Sequence, residues 1–251
     1  MGILNEPVII DGFKCYAPEY AYKYQNYPQD AFEILKNLEE KYFWFRARNK
    51  IITHLFRKYI GEGSDKKVIE IGCGNGYVLK ELKKLGYQVV GTDIYLNALR
   101  NTRERLPDAE LIQVDATRLP FSNEFDAVGA FDITEHIEDD VEVIRGVFRA
   151  LKPGGYFFIT VPQHRFLWSF IDEYSGHVRR YSKSKIIEKL RNAGFKPVFT
   201  SSFCFSLFPF LFISRINKKK PLSEITINDV LSEFRLPVWL NQLFFYAMII
   251  D

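Results

Sequence analysis

The chain has 251 residues, 47% apolar and 26% charged, with 34 basic against 31 acidic side chains. This length fits one large domain, or one domain with an appendage, and the composition excludes a disordered, collagen-like or coiled-coil chain. A net charge of +3 gives no electrostatic footprint for nucleic acid. The three cysteines, Cys15, Cys73 and Cys204, form neither a CxxC pair nor a disulfide framework, which predicts a reducing, cytoplasmic setting.

The opening, MGILNEPVIIDGFK, lacks the basic region and apolar stretch of a secretory leader, and Glu6 stands where a myristoylation signal wants Ser or Thr. A Tyr-rich segment follows over 13–30. Asp30 can cap a helix from Ala31 to Tyr59, in which Phe32, Leu35, Leu38, Tyr42, Phe45, Ile52, Leu55 and Phe56 recur at helical spacing. Gly61 and Gly63 end it.

The middle then alternates. Strands are expected at 68–71, 88–92, 111–114, 125–131 and 156–161, and helices at 76–85, 95–106 and 141–151. This pattern predicts a mostly parallel sheet with helices on both faces. A loop over 162–181 leads to a helix from Ser182 to Ala193, and Phe195–Ser206 reads as a further strand. The longest apolar run, Phe203 to Ser214, includes Pro209 and is 12 residues long, whereas a membrane-spanning helix takes roughly 20. Arg215 and Lys218–Lys220 follow it, so peripheral contact with an anionic membrane through 203–220 is an open expectation, beside ordinary core packing. The chain stops inside a last apolar segment, 238–250, which leads us to expect that the natural protein continues.

The densest motif is Glu70-Ile71-Gly72-Cys73-Gly74-Asn75-Gly76, where an apolar strand ends in an acid and a glycine turn opens a helix. No Lys stands where a P-loop needs one, and Tyr77 replaces the third glycine of a dinucleotide fingerprint. An acid here opposes a pyrophosphate but attracts a cation. S-adenosylmethionine, with its sulfonium and α-ammonium, suits it. Asp93, at the end of the second strand, can accept from ribose hydroxyls. Asp115 can meet an adenine amino group, with Ile94 and Ala116 on either side of the purine.

With these residues in view, the chain resembles the class I S-adenosylmethionine-dependent methyltransferases. The resemblance rests on GCGNG (72–76), GTDI (91–94), VDAT (114–117), FDAVGAFDITEHIEDD (125–140) and LKPGGYFFITVP (151–162), and it covers about 65–200. It implies a Rossmann-like α/β fold with a seven-stranded sheet in the order 3-2-1-4-5-7-6. No convincing last strand precedes Asp251. It also implies that Glu70, Gly72 and Gly74 line the methionine end, with Cys73 among the cofactor contacts, that Phe131 and Asp132 lie near the methyl group, and that S-adenosylhomocysteine is the product. Cys73 reads as a small buried residue rather than a nucleophile. The run Tyr42–Asn49 resembles a helix that covers the cofactor in similar enzymes, with Trp44 and Arg48 on one face and Arg48 toward the cofactor carboxylate.

A hydroxyl acceptor needs a base, whereas an unprotonated amine needs none. The candidate bases are His136, His164 and His177. Trp168, Arg179, Arg180 and Tyr181 are candidate substrate contacts, the arginines for an anionic group. The competing reading of this loop is an arginine-rich lid tied by Asp172 and Glu173. The acids around His136 read as helix caps, and no metal is expected. The segment also resembles that of ubiquinone-pathway O-methyltransferases.

The resulting division is a cap and lid over 1–64, a cofactor-binding catalytic domain over 65–200 and an apolar extension over 201–251. The expected function is methyl transfer to a small, lipid-like or anionic acceptor, with oxygen as the favoured atom. N- or C-methylation, a non-catalytic cofactor-binding protein and an NAD-dependent dehydrogenase are the alternatives.

Overall fold

The computed structural model describes residues 6–23, 31–216 and 224–250. Asp30, Lys218–Lys220 and the end of the Tyr-rich segment lie outside them. In chain order the elements are β1 (Val8–Ile10), β2 (Phe13–Cys15), α1 (Ala31–Leu38), α2 (Phe43–Ile60), β3 (Lys67–Ile71), α3 (Tyr77–Lys84), β4 (Gln88–Asp93), α4 (Leu96–Arg105), β5 (Glu110–Gln113) and β6 (Phe125–Phe131). They continue with α5 (Asp140–Ala150), β7 (Leu151–Thr160), α6 (Phe170–Tyr174), α7 (Lys183–Asn192), α8 (Phe208–Ile216), α9 (Ile227–Ser232) and α10 (Val238–Ile250).

The strands form one seven-stranded sheet in the order β1-β2-β5-β4-β3-β6-β7. Every pair is parallel except the β1–β2 hairpin. Val68 and Ile69 of β3 and Ala127 and Val128 of β6 are wholly buried, because helices cover both sheet faces. One apolar layer joins Phe56 of α2, Leu79 and Leu82 of α3 and Leu99 of α4. The other joins Val143, Val147 and Ala150 of α5 to Ile69, Val128 and Phe125.

The central order 3-2-1-4-5 is present as β5-β4-β3-β6-β7. The other two strands differ from expectation. They come from the N-terminus and extend the opposite edge, β2 lying parallel to β5 with Cys15 opposite Gln113. Asp11 and Gly12 turn this hairpin with φ of 51° and 76°. Both are positive, the geometry that favours Asp-Gly in a two-residue hairpin turn.

The strand expected at Phe195–Ser206 does not form. Residues 195–202 carry no regular structure and 203–207 turn. Phe195 packs against Phe148 and Phe157, with ring centroids 5.1 and 5.3 Å away, so it covers the sheet instead of extending it. Cys204 has a φ of 92°, outside any strand geometry.

The single helix expected over 31–59 is two. Between them Glu39 turns inward, where Arg105 donates to it at 2.7 Å. Tyr42 is extended, and the freed N–H of Phe43 donates to Asn241 Oδ1 at 2.8 Å. A side chain of α10 thus satisfies the start of α2. Phe43 and Ala47 form a third apolar cluster with Leu207, Phe245 and Met248, so the C-terminal segment packs on the N-terminal one. Among the described residues, no helix is long and apolar enough to cross a membrane.

Candidate functional site

A cavity of about 590 Å³ opens at the carboxyl ends of β3, β4, β5 and β6, with Phe32 and Leu35 of α1 and Trp44 and Arg48 of α2 among its lining residues. Parallel strands leave their carboxyl ends and the loops after them on one side, where a ligand can sit. All eleven expected cofactor contacts line this space: Trp44, Arg48, Glu70, Gly72, Cys73, Gly74, Asp93, Ile94, Asp115, Ala116 and Phe131.

The turn after β3 needs its glycines. Gly72 and Gly74 have φ of 68° and 53°. A Cβ on Gly72 would stand 2.3 Å from Ile133 Cδ1, whereas a Cβ on Gly74 would meet nothing within 4 Å. The bare face of Gly74 is where backbone is open to a ligand.

Three carboxylates stand on neighbouring strand tips. Asp93 accepts from the N–H groups of Gly74 and Tyr95, each at 3.0 Å. Burial pushes its pKa up to about 6, against the pull of those N–H donors. Asp115 accepts from the Thr117 N–H at 2.9 Å. Glu70 is 3% exposed, and its Oε2 has no hydrogen-bond partner. Burial holds its carboxyl well above the usual range, with Arg48 acting in the opposite direction. An unpaired buried acid is unfavourable unless something cationic arrives. Arg48 forms an ion pair with Asp132, stacks 4.7 Å over the Trp44 ring and keeps a buried, unpartnered Nε. The orphaned Glu70 oxygen, the orphaned Arg48 donor and the open Gly74 backbone fit the ammonium, the carboxylate and the chain of S-adenosylmethionine.

His136 and His177, both lining the cavity, meet edge to face, with centroids 4.7 Å apart. Burial, then the neighbouring His177, pushes the His136 pKa down to about 4. Behind them Glu135 is wholly buried with neither carboxyl oxygen bonded. Ligand atoms of Glu135, His136 and His177 lie within 4.8 Å of one another.

The remaining candidates lie elsewhere. His164 packs on Phe166, and the Trp168 indole donates to Glu173 at 3.4 Å. Arg179 donates to the carbonyls of Ile137 and Glu138 at 2.8 and 2.9 Å. Arg180 grips Asp172 through two nitrogens, at 2.6 and 3.0 Å. The Tyr181 hydroxyl donates to Asp140 at 2.6 Å. None of these five lines the cavity. The polar groups of Trp168, Arg179, Arg180 and Tyr181 are committed to bonds within the loop's frame; Asp172 takes Arg180 as the tied-lid reading expects, whereas Glu173 takes the Trp168 indole and not an arginine.

Other cavity residues were not legible as such. Asn75 donates to the Phe32 carbonyl at 2.8 Å and lies 3.5 Å from Glu39, tying the glycine turn to α1. Tyr20, Glu39 and Tyr95 also line the cavity. Asn75 lay inside the motif, but Tyr20 and Glu39 gave no local signal because tertiary packing brings them in.

A glycine turn opening a helix, acids on three adjacent strand tips and a 3-2-1-4-5 sheet core define a class I S-adenosylmethionine-dependent methyltransferase fold. The chain belongs to the methyltransferase-domain family, type 23, whose model matches residues 39–199. It is 27% identical over 165 residues to a Mycolicibacterium smegmatis protein named "Probable S-adenosylmethionine-dependent methyltransferase", covering 64% of this chain and 63% of that one. It is 28% identical over 145 residues to the ubiquinone biosynthesis O-methyltransferase of Thiobacillus denitrificans, covering 52% and 62%. The match therefore spans less than two thirds of each of these curated relatives. In fold it is similar to Haemonchus contortus phosphoethanolamine N-methyltransferase 2, solved in complex with S-adenosyl-L-methionine. The TM-score is 0.55 and the identity 24%, over 80% of this chain and 49% of that one.

Proposed function

We propose that this chain binds S-adenosylmethionine in the cavity and methylates a hydroxyl of a small molecule at the His136–His177 end. The observation that carries the reading is the buried, unpartnered Oε2 of Glu70 in the same cavity as the open face of Gly74. Glu70 would hold the ammonium, Arg48 the carboxylate, Asp93 the ribose, and Asp115 with Ala116 the adenine. The bound group supplies a methyl already activated by its sulfonium charge. The chain's own work is to align the acceptor, exclude water and take up a proton.

The oxygen preference draws on the O-methyltransferase relatives. Among the described residues lining the cavity, Arg48 is the one Arg or Lys, and it is paired with Asp132. An uncharged acceptor fits such a lining better than the anionic one expected from Arg179 and Arg180. Glu138 and Asp139 at the rim favour an amine as the second reading. The exposed Phe205, Phe210 and Ile213 support a lipid-like acceptor or a peripheral membrane contact.

The test is transfer from methyl-labelled S-adenosylmethionine to a panel of phenols, aliphatic alcohols and amines. Label in an ether is expected. Label found only in amines would replace this reading by the second one, and a protein that binds the cofactor but labels nothing is a binding protein.

A further inference from the structure

We propose that His177 is the base that receives the acceptor's proton, and that Asp172, clamped by Arg180, is the positioning residue that sets its tautomer. This rests on the methyltransferase reading above.

His177 lines the cavity, and its Nδ1 lies 2.9 Å from Asp172 Oδ1. Asp172 is wholly buried, yet it is held as an anion from three sides. Arg180 donates to both of its oxygens at 2.6 and 3.0 Å, and the Ser169 N–H and hydroxyl donate to Oδ2 at 2.8 and 3.2 Å. The backbone N–H of His177 also donates to the Asp172 carbonyl at 2.8 Å. An ionised carboxylate can only accept, so the imidazole must carry its proton on Nδ1. That leaves the Nε2 lone pair as the one basic atom the ring can offer the cavity, the reverse of the tautomer that free histidine prefers. The His136 ring, hydrogen-bonded to the backbone of Ser175 and Gly176, packs edge to face against His177 at 4.7 Å. Carboxylate, imidazole and open site stand in the order that general-base catalysis uses.

In the step itself, the acceptor oxygen forms its bond to the methyl carbon while its proton passes to Nε2. The electron pair of the broken carbon–sulfur bond stays on sulfur. The positive charge thus moves from sulfur to the imidazolium, which Asp172 stabilises and which then releases its proton to water. A protonated amine acceptor would first give its extra proton to the same nitrogen.

The test is long-range ¹H–¹⁵N NMR of the histidine rings in the full chain with S-adenosylhomocysteine, for wild type and Asp172→Asn, beside label transfer by His177→Gln. A proton on Nδ1 of His177 is expected in the wild type and a mixture of tautomers in Asp172→Asn. Transfer by His177→Gln should fall about 100-fold, with cofactor affinity unchanged. If Asp172→Asn does not fold, the wild-type spectrum still decides. A proton on Nε2, or an Nε2 held by a metal ion retained through purification, overturns the proposal. So does His177→Gln working at the wild-type rate, or the correct tautomer with no methylation of any panel member. Calorimetry separates the two failures: no cofactor binding rejects the methyltransferase reading, whereas normal binding with the wrong tautomer rejects only the dyad.

Discussion

Replacing Asp93 with alanine is expected to weaken S-adenosylmethionine binding about 100-fold, equivalent to roughly 2.8 kcal/mol. Two losses combine. A carboxylate accepting from two ribose hydroxyls makes charge-assisted bonds, each contributing roughly 1.5–3 kcal/mol. Asp93 also holds the Gly74 N–H at 3.0 Å, so its removal loosens the glycine turn that must meet the rest of the ligand. Asp93→Asn separates the two losses. The amide keeps the shape but must present its NH₂ to one of the N–H groups of Gly74 and Tyr95, now accepted by the two oxygens. Its affinity should lie between those of wild type and Asp93→Ala. Calorimetry at neutral pH checks the order, and an Asp93→Ala protein with wild-type affinity contradicts it.

The second large effect is on pH. Burial raises the Asp93 pKa to about 6 in the ligand-free chain, and ribose hydroxyls held as proposed would bind the ionised form. Affinity should therefore fall about tenfold between pH 7.5 and pH 5, with a proton released on binding near the lower end. Glu70 is shifted in the same direction, by burial. The stability of the empty chain runs the other way. A folded pKa above the unfolded one means that the native state holds the proton more tightly. The stability contributed by Asp93 is full below the ordinary value of 3.8 and is lost as pH rises through about 6. The cofactor should thus raise the melting temperature much more at pH 7.5 than at pH 5, and Asp93→Asn should flatten that difference. Equal shifts at both pH values in the wild type would contradict the assignment.

What the sequence disclosed followed from local chemistry. Val68–Ile71, Gln88–Thr92 and Phe125–Phe131 are short apolar runs bounded by glycines and acids, and a strand buried on both faces must look like that. Because such strands are parallel, the acids at their ends, Glu70, Asp93 and Asp115, gather at one edge of the sheet. The β1–β2 hairpin is equally local, through the positive φ of Asp11-Gly12. Phe195–Ser206 has the composition of a strand, yet the positive φ at Cys204 and the packing of Phe195 on Phe148 and Phe157 are decided by tertiary contacts. The arginine-rich loop misled for a related reason. Arg179, Arg180 and Tyr181 stand near the site in sequence, but the carboxylates that claim them, Asp140 and Asp172, decide which way they point. Only the structure shows that the loop contributes Ser175 and His177 to the cavity and that its arginines hold the frame behind it.

The most direct measurement of the central claim is calorimetric titration of the wild-type chain with S-adenosylmethionine, S-adenosylhomocysteine and NAD⁺ at pH 7.5. One site per chain should bind both sulfur nucleosides, with dissociation constants on the order of 1–100 μM, and give no heat with NAD⁺. Failure to bind either sulfur nucleoside at millimolar concentration, or saturable binding of NAD⁺ in their place, would contradict the assignment of the Glu70–Gly74–Asp93 cleft.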